Sequence, residues 1–481
     1  MNTTASNDRA SLRDRIGAWL QRRGDAFRRA RGVIAAVAAG GAVLSGVVGY
    51  WNVYRTVQGP ASPATTQAAD AGPLSIVVLP FTPLAVGDAA PNDFADGLTA
   101  SITADLSRIG DAFVVDGGTA LAFKRRSLTA QQVARELGVR FVLQGQVQRN
   151  GDRIRIRAQL SDGTSNAQLW AETFDGSSGD LFSLQDRVTT LIGNSMGREL
   201  VLRAARDSER RHSNRTVADL LLQARALQIR LQSAANWQRV EALARQVLAI
   251  DPAHVEGKLL LAKSLAQQCR NFWRDIGLDA GVAKMEDAAA LAAALRESRA
   301  AEDDPMLHEV LGLVAQLRGD FGGALREFRV RLQQQPKSVE AHVELANAYY
   351  LQADAKAAHE LLEQALALDP RHPTDDLIAN LTWVEYMRGD YRAAIEWGER
   401  GLAANPGWFV RFSTLALAYA QNGEHDKATV AASAAFKANP GRTVSEEQRL
   451  LDEPLVPVHP AYRTWALQQV IPVMRSAGFP P

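Results

Sequence analysis

The sequence predicts three regions in order: a single N-terminal transmembrane helix, an α+β domain, and an all-α solenoid of helix pairs. Three observations carry this expectation. Six segments between about Val217 and Pro440 repeat one helix-turn-helix pattern. Residues 74–203 mix a helical apolar period with strict alternation. Val33–Tyr50 carries no charge. The expected boundaries are 1–31 for a basic tail, 32–51 for the membrane helix, 52–73 for a Pro/Ala-rich linker, 74–203 for the α+β domain, 217–440 for the repeats and 441–481 for a capping segment.

The repeats are marked by Pro252, Pro305, Pro336, Pro370, Pro406 and Pro440, spaced 53, 31, 34, 36 and 34 residues apart. Asp251-Pro252, Asp369-Pro370, Asn405-Pro406 and Asn439-Pro440 end second helices, because proline lacks the amide needed to continue. A period near 34 of this kind is the tetratricopeptide pattern, and Ser338–Pro370 is its clearest copy. Small residues fall where paired helices approach: Ala346, Ala358 and Ala365 with Leu345, Tyr349 and Leu362; Gly312 and Ala324 with Leu311 and Phe328; Ala416, Ala428 and Ala435 with Leu415 and Tyr419. Gly319-Asp320 and Gly389-Asp390 read as the turns within a pair. The second pair is interrupted by Arg270–Asp287, expected as a loop whose Phe272 and Trp273 cover a neighbouring pair or meet a partner. Tyr462–Gly478 reads as a capping helix with Trp465, Val470 and Met474 inward.

Such a stack presents a concave groove for another protein. In repeat register its exposed positions include Glu309, Leu313, Gln316, Asn347, Tyr350, Trp383, Tyr386, Ser413 and Gln421. Asn347, Tyr350, Trp383 and Tyr386 form an aromatic-polar patch suited to an extended peptide or a helix, unless these rings pack between units. Asn347 sits where groove-type repeats hold a peptide carboxylate, but the basic residues of such a clamp are out of register.

Val33–Tyr50 is long enough for one membrane crossing. Eight arginines lie within residues 1–31, and only Arg55 follows closely. That asymmetry puts the N-terminus in the cytoplasm and the folded regions on the far side. A cleaved signal peptide is the other reading; against it stand the long basic flank and the lack of a clean small-residue cleavage site. Leu12, Ile16, Trp19, Leu20 and Phe27 sit at helical spacing among the arginines, so the tail is either an amphipathic surface helix or simply solvated. Gly41, Ser45, Gly46 and Gly49 are small enough for a homodimer contact between two such helices.

In the α+β region, Ser75–Phe81 reads as a buried strand, and Asp93–Ile109 as a helix with Phe94, Leu98, Ile102 and Leu106 on one face. Phe113–Val115 is a short strand; Thr129 opens a second helix that ends at Gly138. Arg140–Gln148, Arg153–Leu160 and Ala167–Phe174 form a meander, with turns at Asn150-Gly151 and Asp162-Gly163. Leu181 to about Arg203 is the helix leading out. SIVVLPF, DFADGLTASITADLSRI, VARELGVRFVLQGQVQRNGDRIRIRAQLSDGTSNAQLWAETFD and LFSLQDRV together resemble the TolB-like amino-terminal domain. The resemblance implies a bacterial inner-membrane protein with its folded parts in the periplasm, and a neighbouring repeat array. In that family the module often follows an adenylate cyclase or winged-helix module; with about 50 residues before the linker, neither activity is expected to carry over. The loop Thr82–Asn92 departs from the family's more polar form.

Asp93 and Asp96 are more simply helix-start residues than metal ligands. Arg153, Arg155 and Arg157 make a basic stripe that is solvated or faces an anion or the repeats. No P-loop, no G-x-S-x-G elbow and no metal-binding histidine spacing occurs, so neither cofactor nor metal is implied. A net charge of +1 argues against nucleic acid as a partner. The single Cys269 excludes an internal disulfide; it reads as a buried apolar residue rather than a reactive thiol. The expected function is therefore non-catalytic: a membrane-anchored scaffold that binds a protein or peptide. The alternatives are a periplasmic sensor signalling across the membrane, and a cyclase-like label inherited by similarity alone.

Overall fold

The computed structural model describes residues 74–84, 92–107, 113–124, 126, 128–210, 216–229, 233–404, 409–452 and 457–481. The expected tail, anchor Val33–Tyr50 and linker lie outside the described residues, and among those residues no helix is long and apolar enough to cross a membrane.

The first region is a mixed sheet with helices on its faces. Its six described strands are β1 (Ser75–Val78), β2 (Thr82–Leu84), β3 (Phe113–Val114), β4 (Phe141–Asn150), β5 (Arg153–Asp162) and β6 (Gln168–Ser177). They run in the order β3-β1-β4-β5-β6, with β2 beside β4. β1 is parallel to β3 and β4, whereas β4, β5 and β6 form an antiparallel meander. β1 is a continuous apolar run because both of its faces are covered. Ile76 and Val78 join α1 (Asn92–Leu106) and α4 (Leu181–Arg210) in the main core. Val77 points the other way, to a smaller core with α2 (Gly117–Leu121) and α3 (Ala130–Leu137).

Local chemistry sets the element ends. Thr129 and Gln132 form a reciprocal capping box on α3, and Gly138 closes it in the left-handed region. The first hairpin turn falls on Gly151-Asp152, one residue later than the sequence pattern indicates, because Asn150 still pairs with Arg153. Gly151, at φ +58°, supplies the positive φ that the tight turn requires. On β5, Ile154, Ile156, Ala158 and Leu160 are buried while Arg153, Arg155 and Arg157 are exposed, and Arg155 pairs with Asp175 at 2.7 Å.

The second region is a succession of packed helix pairs: α5 (Val217–Ile229) with α6 (Ala234–Ile250), α7 (Val255–Ile276) with α8 (Leu278–Ser298), α9 (Pro305–Leu317) with α10 (Phe321–Gln334), α11 (Val339–Tyr350) with α12 (Ala355–Leu368), α13 (Asp375–Arg388) with α14 (Tyr391–Ala404), and α15 (Phe409–Gln421) with α16 (His425–Ala438). Arg270–Asp287 is not a loop. It lengthens α7 and α8, which are separated only by Gly277 at φ +82°, and Phe272 is buried at a kink in α7. That stretch holds no proline, so nothing but the glycine stops the helix.

The two regions share a core. Leu222 and Ala226 of α5 pack with the sheet's apolar residues and α4. Asn194 of α4 donates to Lys337 O at 3.4 Å and Leu368 O at 3.5 Å. Arg198 binds Asp369 and donates to His372 O at 2.9 Å. Lys337 reaches Asp186 at 2.6 Å, and Arg371 reaches Glu172 and Thr173 O of β6 at 3.2 Å each. The turns between successive pairs are thus bound to α4 and to the sheet.

After α16 come α17 (Val444–Leu450), α18 (Pro460–Trp465), a π-helical turn (Ala466–Val470) and α19 (Ile471–Ser476). Ala466, Val470, Ile471 and Met474 pack with the sixth pair.

One turn breaks its own pattern. Gly319, Gly389 and Gly423 hold φ of +78°, +84° and +81° between paired helices, but the matching position of the fourth pair is Ala353 at φ +63°. A left-handed conformation costs an L-residue roughly 1–2 kcal/mol, partly offset by the greater freedom of an unfolded glycine. Ala353→Gly is expected to stabilise the protein by about 0.5–1 kcal/mol. A denaturation midpoint that stays put or falls would contradict this.

Candidate groove site

The first helices of the pairs line the inner surface. The structure buries Glu309, Leu313, Gln316, Tyr386 and Ser413, which the repeat register places as exposed. Asn347, Tyr350 and Trp383 are partly buried, and Gln421 is exposed. Two physical causes account for the difference: charges pair among the helices of the second, third and fourth pairs, and the C-terminal segment covers the aromatic end.

The charges form a chain. Glu309 is gripped by Lys263 at 2.9 Å and by Arg331 at 3.1 Å. Arg270 from the second pair crosses to Glu344 of the fourth at 2.5 and 3.1 Å, and Gln267 donates to the same carboxylate at 3.2 Å. Burial alone would raise the Glu344 carboxyl; the Arg270 guanidinium outweighs it and holds the group below its ordinary range. The same burial, aided by the negative charge of Glu344, pushes Asp376 up to about 7 despite Arg270 nearby. Asp375 and Glu340 add to that repulsion.

The aromatic end is built from both groove and C-terminus. Asn347 donates to the Tyr350 hydroxyl at 3.1 Å, and burial pushes that phenol up to about 12. Trp383 stacks on Tyr386 at 5.7 Å. Trp465 meets both edge-on, at 5.6 Å from Trp383 and 6.3 Å from Tyr386. Tyr462 packs on Trp465 at 5.5 Å and takes a hydrogen bond from Trp383. The Tyr386 hydroxyl donates to Gln469 O at 3.3 Å, and Gln421 bonds the same hydroxyl. The structure therefore brings Asn347 to Tyr350, Gln316 to Asn347 at 3.5 Å, and Trp383 and Gln421 to Tyr386; Glu309 belongs to the charge chain instead.

Between groove and segment lies a cavity of about 240 Å³ lined by Cys269, Met285, Gln316, Asn347, Tyr350 and Tyr462, among others. Burial pushes the Cys269 thiol up to about 11, and its Sγ lies 3.1 Å from Gly281 O. This is the apolar reading of that cysteine in atomic form. The repeat register does not single out Arg270, Glu344, Lys263 or Arg331 as groove residues. Their signal is a charge placed among apolar residues on an inward helix face. In the first region, Asp96 is taken by Lys124 at 2.6 Å, and among the described residues no group of three or more His, Cys, Asp or Glu could hold a metal ion.

The raised Asp376 has a definite pH signature. Its folded state holds the proton more tightly than the unfolded chain, whose carboxyl titrates near 3.8. Its contribution to stability is therefore full below that value and is lost as pH rises through about 7. Asp376→Asn is expected to be more stable than the parent at pH 8, with the gain shrinking as pH falls toward 4. Denaturation curves across that range check it, and equal stability at pH 8 would count against it.

Comparison with known proteins agrees with the helix-pair geometry. Residues 315–381 match the tetratricopeptide repeat family. A stretch of 182 residues is 40% identical to a protein described as putative adenylate cyclase 3 of Rhizobium meliloti (strain 1021), covering 37% of this chain and 30% of that protein. The chain thus spans less than a third of that relative's length. Among solved structures, MamA is 26% identical over 35% of this chain and 92% of its own, with a TM-score of 0.26. YrrB, described as a TPR protein with an unusual peptide-binding site, is 14% identical over 41% and 93%, with a TM-score of 0.27. The Cut9–Hcn1 hetero-tetramer of the APC/C is 16% identical over 62% and 63%, with a TM-score of 0.36. The chain is a mixed α/β region followed by an all-α array of tetratricopeptide repeats, with distant homology to that putative cyclase.

Proposed function

We propose that this chain is a non-catalytic interaction scaffold that recognises a protein or peptide partner through the groove of its repeats. The observation that supports it most is the cluster of Trp383, Tyr386, Tyr350 and Asn347 on one inner face, with rings already arranged to receive other rings. Aromatic anchors in a desolvated recess beside a few polar groups are what partner recognition uses. The neighbouring charges are paired with one another, so the recess favours an apolar, aromatic contact over a strongly charged one.

Within the same proposal, the α/β region is a TolB-like domain, on the resemblance of residues 74–203. Val33–Tyr50 anchors the chain in a bacterial inner membrane, with the two folded regions in the periplasm and the arginine-rich tail in the cytoplasm. No catalytic step forms part of this reading. A second reading, a sensor that signals through the membrane helix, draws on the ion-paired seam that ties the sheet region to the repeats.

Crosslinking in membranes tests the scaffold reading. The full chain is expected to capture a defined envelope protein, and Trp383→Ala with Tyr350→Ala to reduce that capture about tenfold or more, as for loss of central anchors. Undiminished capture by the folded double variant would remove the groove from the account. A reporter fused at Pro481 that is active only on the cytoplasmic side would overturn the topology.

A further inference from the structure

The groove is already occupied, and the occupant is this chain's own C-terminus. Pro457 lies at the turn of the third pair, where a Cβ added to Gly319 would meet it at 3.4 Å. His459 packs edge-on against Phe321 at 5.1 Å and caps α18 through Nδ1, which accepts from Ala461 N at 3.2 Å. One turn on, Tyr462 and Trp465 point into the aromatic recess of the fifth pair. Ala461, just before them, and Arg463 and Thr464, between them, are exposed. The segment therefore holds on by one face, with rings at i and i+3.

The fit is incomplete. Protein interiors are close-packed, and buried polar atoms there are nearly always paired. Beside this segment lies the partly open recess of about 240 Å³, walled by groove helices and by residues 457–462. Two of its lining residues, Gln316 and Arg270, carry a buried Oε1 and a buried Nε with no hydrogen-bond partner in the protein. Two residues of the recess wall thus keep an acceptor and a donor that the docked segment leaves unpaired.

We propose that Pro457–Trp465 is a displaceable internal competitor for the groove, and that the partner is a peptide presenting two aromatic rings one helical turn apart. This rests on the groove reading given above and adds the chemistry of its ligand and the means of its restraint.

Cys269 provides the readout, being the one cysteine in the chain and lying in the wall of the covered cavity. In the full-length wild type, labelling by a soluble maleimide is expected to be slow. Tyr462→Ala with Trp465→Ala should accelerate it about tenfold or more, as a local opening becomes more populated, with helix content unchanged. A synthetic peptide of residues 457–470 added to that variant should bind it, slow the labelling again, and bind the wild type at least about tenfold more weakly. If the double variant loses helix content, Trp465→Leu, which keeps an apolar side chain, is expected to move the rate in the same direction. Equal labelling rates in folded wild type and variant, or a peptide that binds neither, would overturn the proposal. Partner capture by the wild type alongside that result leaves the groove reading standing. Accelerated labelling and peptide binding without any partner capture would instead support the occupied groove and remove the scaffold.

Discussion

Helix α4 is the constraint on which the remaining architecture depends. One face supplies Leu184, Val188, Ile192 and Met196 to the sheet, and its later turns add Leu200 and Ala204 beside Leu222 and Ala226 of the first repeat helix. Asn194 and Arg198 meet the turns between later pairs. Asp369 is buried, so its charge is tolerable only with a partner, and Arg198 is that partner. The Asp-Pro that ends the fourth pair therefore both stops a helix and locks the array to the sheet region. An array on a flexible tether would have no fixed bearing on the sheet; this one is tied at its start and again four pairs later.

The charge chain reflects how closely the inner helices pack. Arg270 and Glu344 lie two pairs apart, yet their side chains meet at 2.5 Å. First helices this close must neutralise one another's charges, because the space between them is too dry to leave any ion alone. The inner surface consequently carries paired charges along its middle and a cluster of rings at its far end.

Much of this was legible in the sequence. The meander followed from alternation, since a period of two leaves one sheet face apolar and the other carrying Arg153, Arg155 and Arg157. The helix pairs followed from prolines and small residues at a fixed spacing. The contents of the groove did not. An amphipathic face states that a residue is buried and not what buries it, so Trp465 reads as inward without revealing that Trp383 is its neighbour. Glu309 and Gln316 read as exposed because the repeat register puts them on the groove face; the crossing of Lys263 and Arg331, and the contact of Gln316 with Asn347, make them interior. The insertion at Arg270–Asp287 reads as a loop because it breaks the repeat length, although its composition is that of helix.

The π-helical turn at Ala466–Val470 has a consequence for how the C-terminus is held. An extra residue in one turn slips the helix out of phase with itself. Ahead of the slip, Tyr462 and Trp465 address the rings of the fifth pair; behind it, Val470, Ile471 and Met474 address the sixth. A regular helix would keep one continuous stripe and dock or detach as a unit. With the stripe broken, the segment has two latches on one rod: the rear can stay closed while the front lets go, and the joint between them sits where Gln469 O meets the Tyr386 hydroxyl.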